Sequence, residues 1–219
     1  MNDKVDYKKK YKDLYLPKAI PAIVNVPKIN FLMIDGSGSP NDPNGEYNKA
    51  VEVLYAISYT ISMSYKSDKE IKDFRKYVVP PLEGLWWMKD DLFFDINRKH
   101  DLVWTSMIRQ PEFVNSEVLK WALDEVNRKK PILDTSKVRL SNYTEGLCVQ
   151  MMHIGHFDTE DVTVEKIDRF AYESGYQSAI SKMSSEGILK RHHEIYLSDP
   201  RKVDPLKMKT VVRHPIEHI

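Results

Sequence analysis

The sequence holds a single cysteine, Cys148, in 219 residues. That excludes an internal disulfide and any zinc site built from cysteine thiolates. No apolar run approaches the roughly 18 residues that a membrane span needs, and the N-terminus lacks the apolar core of a signal peptide. Neither sign of charge is in excess: 33 Lys and Arg stand against 32 Asp and Glu, a net of +1. A protein that grips nucleic acid by its phosphates carries a basic face. The only basic run here, Lys8, Lys9, Lys10 and Lys12, is diluted by Asp3, Asp6 and Asp13, so direct nucleic-acid binding is not expected. These absences point to a cytoplasmic protein, monomer or homodimer, without membrane contact.

Aromatic residues are plentiful. With 12 Tyr, 7 Phe and 4 Trp the chain is too aromatic to be disordered, and it is long enough to bury a core without disulfides or metals. Tyr7, Tyr11 and Tyr15 recur every four residues in an N-terminal arm, 1–19, which suits a helix or a segment laid on the body. Pro17, Pro21 and Pro27 then keep the chain extended. A strand over Asn30–Gly36 and a Gly/Pro turn lead into an amphipathic helix over about Glu46–Lys66, with Ala50, Leu54, Ile57 and Ile61 on one stripe. Strands follow at Leu82–Lys89 and Leu102–Gln110, joined by the charged stretch Asp90–Asp101.

The pattern then restarts. Asn115 caps a helix over Asn115–Lys130, a strand covers Leu147–Ile154, a helix follows Thr159 and stops at Gly175, and strands cover His192–Leu197 and Lys207–Arg213. MIDG (33–36) echoes MHIG (152–155), PLEG (81–84) echoes HHEI (192–195), and MIRQP (107–111) echoes VVRHP (211–215). The reading is a single α+β domain over 1–219: two similar strand–helix–strand–strand modules, about 20–114 and 115–219, on a pseudo-twofold axis. Each antiparallel sheet would carry its helices on one face and leave the other to frame a central ligand cleft. Alternation in HHEIYLS places Ile195 and Leu197 under the helix, and Glu194, Tyr196 and Ser198 on the cleft side.

The stretches IDGSGSPN (34–41), YNKAVEVLYAISY (47–59), LEGLWW (82–87), EGLCVQMMHIGHFDTE (145–160) and HHEIYLSDPRKVDPLKMKTVVRHP (192–215) together resemble the GyrI-like (DNA gyrase inhibitor-like) small-molecule-binding family. That family is related to the effector-binding domains of multidrug-sensing transcription activators. The resemblance implies a duplicated module with a cleft for bulky hydrophobic, often aromatic and cationic compounds. With about 20 residues before the first strand, it implies a stand-alone member without a helix-turn-helix. Some stand-alone relatives hydrolyse the cyclopropane of DNA-alkylating cyclopropanoid drugs, whereas others only bind, and a third reading is a partner protein that inhibits gyrase.

The family glutamate carries over onto Glu194, and LEGLWW onto Glu83, Trp86 and Trp87. In an aromatic cleft Glu194 would either balance a ligand cation or, as a base, take a proton from water attacking a strained ring. Glu83 would be its counterpart across the axis. Trp86 and Trp87, adjacent on a strand, point to opposite faces. Tyr143, Tyr196 and Tyr55 are further wall candidates. His153 either lines the cleft or hydrogen-bonds in the sheet: it forms an H-x-x-H pair with His156 but lacks the third and fourth ligands of a zinc site. No metal or other cofactor is called for. Cys148, in LCVQMM, reads as core.

Overall fold

A computed structural model describes residues 4–90 and 96–219; the expected connection Asp90–Asp101 lies partly outside them. The chain runs α1 (Tyr7–Lys10), α2 (Lys12–Tyr15), β1 (Ala22–Ser37), α3 (Glu46–Ser62), β2 (Leu82–Met88), β3 (Leu102–Arg109) and α4 (Ser116–Lys129). It continues through β4 (Arg139–Ile154), α5 (Asp161–Glu173), β5 (Tyr176–Ser178), β6 (His192–Tyr196) and β7 (Lys209–His218). The strands neighbour one another in the order β4-β1-β3-β2-β6-β7-β5, all antiparallel, and β4 also pairs with β7. Six strands therefore close into a barrel, and β5 pairs with the far end of β7.

Closure removes the free edges that two separate sheets would expose, and it corrects the expected layering. The inner face needs no helix, because it packs against itself. Phe31, Met33, Leu85, Met107, Ile195 and Val211 fill it, with Leu14 and Tyr15 from the arm. Ile195 thus points into the barrel rather than under a helix, while Glu194 and Tyr196 face outward, on the side that carries the helices. The inner face is core, not cleft.

The helices form where the periodicity predicts. Leu54, Ile57 and Ile61 of α3 are fully buried over β1 and β3, and α4 packs beside α3. Asn115 caps α4, its side chain accepting from the Val118 N–H at 3.0 Å. α5 lies on β4 and β7, and Gly175, at φ +85°, follows its end. Two strands are longer than the apolar runs suggest. β1 starts at Ala22 and β4 at Arg139, because their polar outer halves pair with each other from Ala22↔Gln150 to Met33↔Arg139. Pro27, which has no N–H to give, sits at the break in that ladder between Val26↔Gly146 and Lys28↔Thr144.

The arm lies against the body, with Tyr7, Leu14 and Tyr15 buried. The Arg109 guanidinium lies 4.7 Å and 4.2 Å from the ring centres of Tyr7 and Tyr11. Deeper in, His193 has Nε2 3.0 Å from Glu83 Oε2 and Nδ1 3.0 Å from Glu145 Oε2. The Tyr15 hydroxyl donates to Glu83 at 3.1 Å. Arg213 donates to Glu145 at 3.2 Å, to the Gln150 side chain at 2.8 Å and to the Leu14 carbonyl at 2.7 Å.

Burial alone would lower the pKa of His193, but the charge of Glu145 and hydrogen bonds to Glu145 and Glu83 raise it from 6.5 to about 9. Burial would likewise raise Glu145, but His193 and Arg213 bring it down from 4.5 to about 2. The His193 contribution to stability is complete below 6.5 and is lost as the pH rises through 9; that of Glu145 is complete above 4.5 and is lost as the pH falls through 2. Stability should therefore peak between these limits. In a thermal-unfolding series from pH 6.5 to 9, the wild-type Tm should fall by about 5 °C, and His193→Gln should flatten that slope. An equal slope in the variant would assign the pH dependence elsewhere.

Candidate functional site

Outside the barrel, β6 has no helix of its own above it. α3 covers β1 and β3 on one side, and α5 covers β4 and β7 on the other. The gap between them is a cleft of ≈ 2400 Å³ whose lining includes Tyr47, Tyr55, Trp86, Phe157, Glu160, His192, Glu194 and Tyr196. It is large enough for a bulky aromatic ligand.

Register explains which side chains meet there. In the β2–β6 ladder, Gly84 lies opposite Glu194 and Trp86 opposite His192, and directly opposed residues share a face. The Trp86 indole N–H donates to the Tyr196 hydroxyl at 2.8 Å, passing over Gly84. A Cβ at Gly84 would stand 2.6 Å from the indole nitrogen and 3.2 Å from the hydroxyl, so only glycine admits this bond. Tyr47 packs on Trp86, ring centres 5.2 Å apart, and Phe157 meets Tyr196 edge-on at 5.6 Å. Burial and the charge of Glu194 hold the Tyr196 phenol well above its ordinary range, so it stays protonated.

Glu194 does not stand alone. Glu160, immediately before α5, is only 7 % exposed, and its Oε1 has no hydrogen-bond partner. Burial, and then the charge of Glu194, push Glu160 well above the ordinary carboxyl range. Glu194 Oε1 is 3.1 Å from His192 Nε2, His192 Nδ1 is 2.8 Å from His214 Nε2, and His214 Nδ1 is 2.7 Å from Asp168 Oδ1. Among the described residues, Glu160, His192 and Glu194 are the one acid–histidine group whose donor atoms lie within 4.8 Å of one another, as a cation would need. Glu194 Oε1 and His192 Nε2 are already within hydrogen-bond reach of each other.

The structure brings Glu194, Tyr196, Trp86 and Tyr55 to one cleft. Trp87 points to the other face of β2 and stacks under Arg191 at 4.8 Å, at the margin of the same opening. Glu83 does not share the cleft with Glu194. It lies opposite Ile195, faces the barrel interior at 1 % exposure and is held by Tyr15 and His193. Tyr143 is likewise interior, at 2 % exposure, packed among the barrel side chains. His153 is buried in the sheet, its Nδ1 2.8 Å from Thr163 Oγ1 and its Nε2 3.1 Å from the His156 carbonyl, tying β4 to α5. Cys148 is buried, as expected of core, and burial raises its thiol pKa.

Sequence reasoning passed over Glu160, His214 and Asp168. Glu160 closes a motif stretch and carried a signal; Asp168 reads as an ordinary helix-surface acid. A carboxyl whose folded pKa is raised supports folding below the ordinary 4.5 and loses that contribution as the pH rises. Glu160→Gln should therefore raise Tm by about 2–4 °C at pH 8 and leave it little changed at pH 4.5. A lower Tm at pH 8 would show that the carboxylate is stabilised there.

The model of the GyrI-like small molecule binding domain family matches residues 21–216. Three solved structures from Listeria innocua share 45–46 % identity, each covering 98 % of this chain and 100 % of its own, with TM-scores of 0.85, 0.87 and 0.88. Two are described as hydrolases and the third as an uncharacterized conserved protein. The C-terminal domain of EcmrR shares the fold alone, at 10 % identity and a TM-score of 0.51, over 91 % of this chain and 98 % of that one. No curated protein gives a significant match. No helix of the described residues is long and apolar enough to cross a membrane. With the matched region spanning the whole barrel and its cleft, the chain belongs to the GyrI-like small molecule binding domain family.

Proposed function

We propose that the chain binds bulky hydrophobic, aromatic small molecules in the cleft between α3 and α5, and that it protects against cyclopropanoid alkylating compounds by adding water across their strained ring. The observation that carries this is the meeting of Glu194 and Glu160 on an aromatic-walled floor. Glu194, next to His192, takes a proton from the attacking water, and the water oxygen forms a C–O bond with a ring carbon. The ring C–C bond breaks, and its electron pair takes up a proton, which Glu160, kept protonated by burial, supplies. Aromatic walls hold the ligand and exclude bulk water. The description of the Listeria innocua relatives as hydrolases agrees with this reading.

We also read the chain as a duplicated module, β1, β2, β3 against β4, β6, β7. The echoes fit the ladders: Met33 pairs with Met107 where Met152 pairs with Val211, and Phe31 with Arg109 where Gln150 pairs with Arg213. In the same frame Glu83 faces Met107 as Ile195 faces Val211. Glu83 is thus equivalent to Ile195, one residue out of step with Glu194, and a one-residue step exchanges the faces of a strand.

The test is mass spectrometry of a cyclopropanoid alkylating drug incubated with wild type and with Glu194→Gln. Wild type should form a water adduct, and the variant should form it at least ~100-fold more slowly. Equal adduct formation by both would remove Glu194 as the base. Unchanged drug in both would favour a protein that only sequesters aromatic cations, with Glu194 as counter-ion.

A further inference from the structure

We propose that His192, His214 and Asp168 form a proton wire that connects Glu194, on the floor of the cleft, to solvent at Asp168, on the α5 side of the same cleft. The wire crosses three elements, β6, β7 and α5, through contacts of 3.1, 2.8 and 2.7 Å. Its use in catalysis rests on the reading of Glu194 as a base, but its existence does not.

Hydrogen-bond direction follows from the far end. Asp168 is half exposed and, as a carboxylate, can only accept. His214 Nδ1 must therefore carry the hydrogen. His214 is buried, and burial keeps its pKa below the ordinary 6.5, so it holds one proton and its Nε2 is bare. The atom facing that bare nitrogen, His192 Nδ1, must then donate. A neutral His192 has its own Nε2 bare, directed at Glu194 Oε1. That 3.1 Å gap between two acceptors is the place a proton enters once Glu194 has taken one from water.

The wire then moves charge without moving atoms far. The proton on Glu194 passes to His192 Nε2, the Nδ1 hydrogen of His192 passes to His214 Nε2, and that of His214 passes to Asp168, which releases it to water. One proton passes from under the ligand to the α5 side of the cleft, both imidazoles exchange tautomers, and the reverse run restores them by returning a proton from solvent. Adding water across the ring uses both strokes: the forward run discharges the water's proton from Glu194, and the reverse run brings one back to Glu194, which passes it to the Glu160 carboxylate left after the ring was protonated, their donor atoms within 4.8 Å. The other titratable groups bearing on the wire are Glu160, Tyr196 and, through the sheet, Glu145. His192, His214 and Asp168 are positioning and relay residues; Glu194 alone touches the reacting water.

Two measurements test this. Nitrogen-15 NMR of the imidazoles in the full-length protein should show both His192 and His214 as Nδ1–H tautomers. An Nε2–H tautomer at His214 overturns the wire whether or not the protein turns over any drug. In the adduct assay, Asp168→Asn should lower the rate about 10–100-fold between pH 6 and 8. Drug binding, read by tryptophan fluorescence, should stay within about twofold of wild type, and Asp168→Glu should recover part of the rate. An Asp168→Asn rate equal to wild type across that range also overturns the proposal. If wild type forms no adduct, hydrolysis is lost as a function while the tautomers still decide the wire.

Discussion

The buried ion cluster inside the barrel is the constraint on which the rest of the structure depends. Glu83 from β2, Glu145 from β4, His193 from β6 and Arg213 from β7, each at most 2 % exposed, satisfy one another, and Tyr15 of α2 completes the set. A strand has period two, so sliding β6 by one residue would carry His192 or Glu194 into that space and leave His193 outside. The displaced charge would be buried without its partner, at a cost of several kcal/mol. The cluster therefore sets the register of β6, and with it the outward row His192, Glu194, Tyr196. The two histidines are neighbours in sequence and belong to different chemistries, one in a dry ion network and one at the end of a chain reaching solvent.

Much of this was legible from residues. The amphipathic stripe of α3, the Asn115 cap and the stop at Gly175 follow from local chemistry, which tertiary contacts here reinforce. Alternation placed Glu194 and Tyr196 on one face. What alternation leaves open is which face is dry. In a closed barrel the inner face is buried by the sheet itself, so the helices do not mark it: Ile195 lies inside the barrel rather than under a helix, while Glu194 reaches the cleft as expected, on the face that also carries the helices. The pairing of Glu83 with Glu194 failed for a related reason. Matching like residues in two motifs aligns letters, whereas in the β2–β6 ladder Glu83 lies opposite Ile195 and faces the barrel interior. Tyr143 is lost to the barrel interior, and His153, on the opposite face of β4, is buried beneath α5, whose Thr163 it meets.

The polar part of the site was harder to see because its members are far apart in the chain. His192 meets His214 across a ladder, and His214 meets Asp168 from a helix packed on the sheet; no local pattern announces either contact. The partnership of Glu160 with Glu194 became visible only once the start of α5 was placed beside β6. These residues turn an aromatic cleft, which alone would serve only to hold a ligand, into one with a protonated carboxyl and an acceptor carboxylate side by side.

The contact between the Leu14 carbonyl and Arg213 has a consequence for how the molecule is made. The barrel cannot seal until β7 enters between β4 and β6, and the Leu14 carbonyl of the arm finds its partner only 199 residues further along the chain. During synthesis the aromatic arm and the half-built sheet must stay soluble without each other, with unpaired strand edges and the inner apolar face open to neighbours. Contacts of such long sequence separation slow folding and lengthen the interval in which a chain can aggregate. The closure that protects the finished protein thus leaves its inner face exposed until β7, the last strand to be made, is in place.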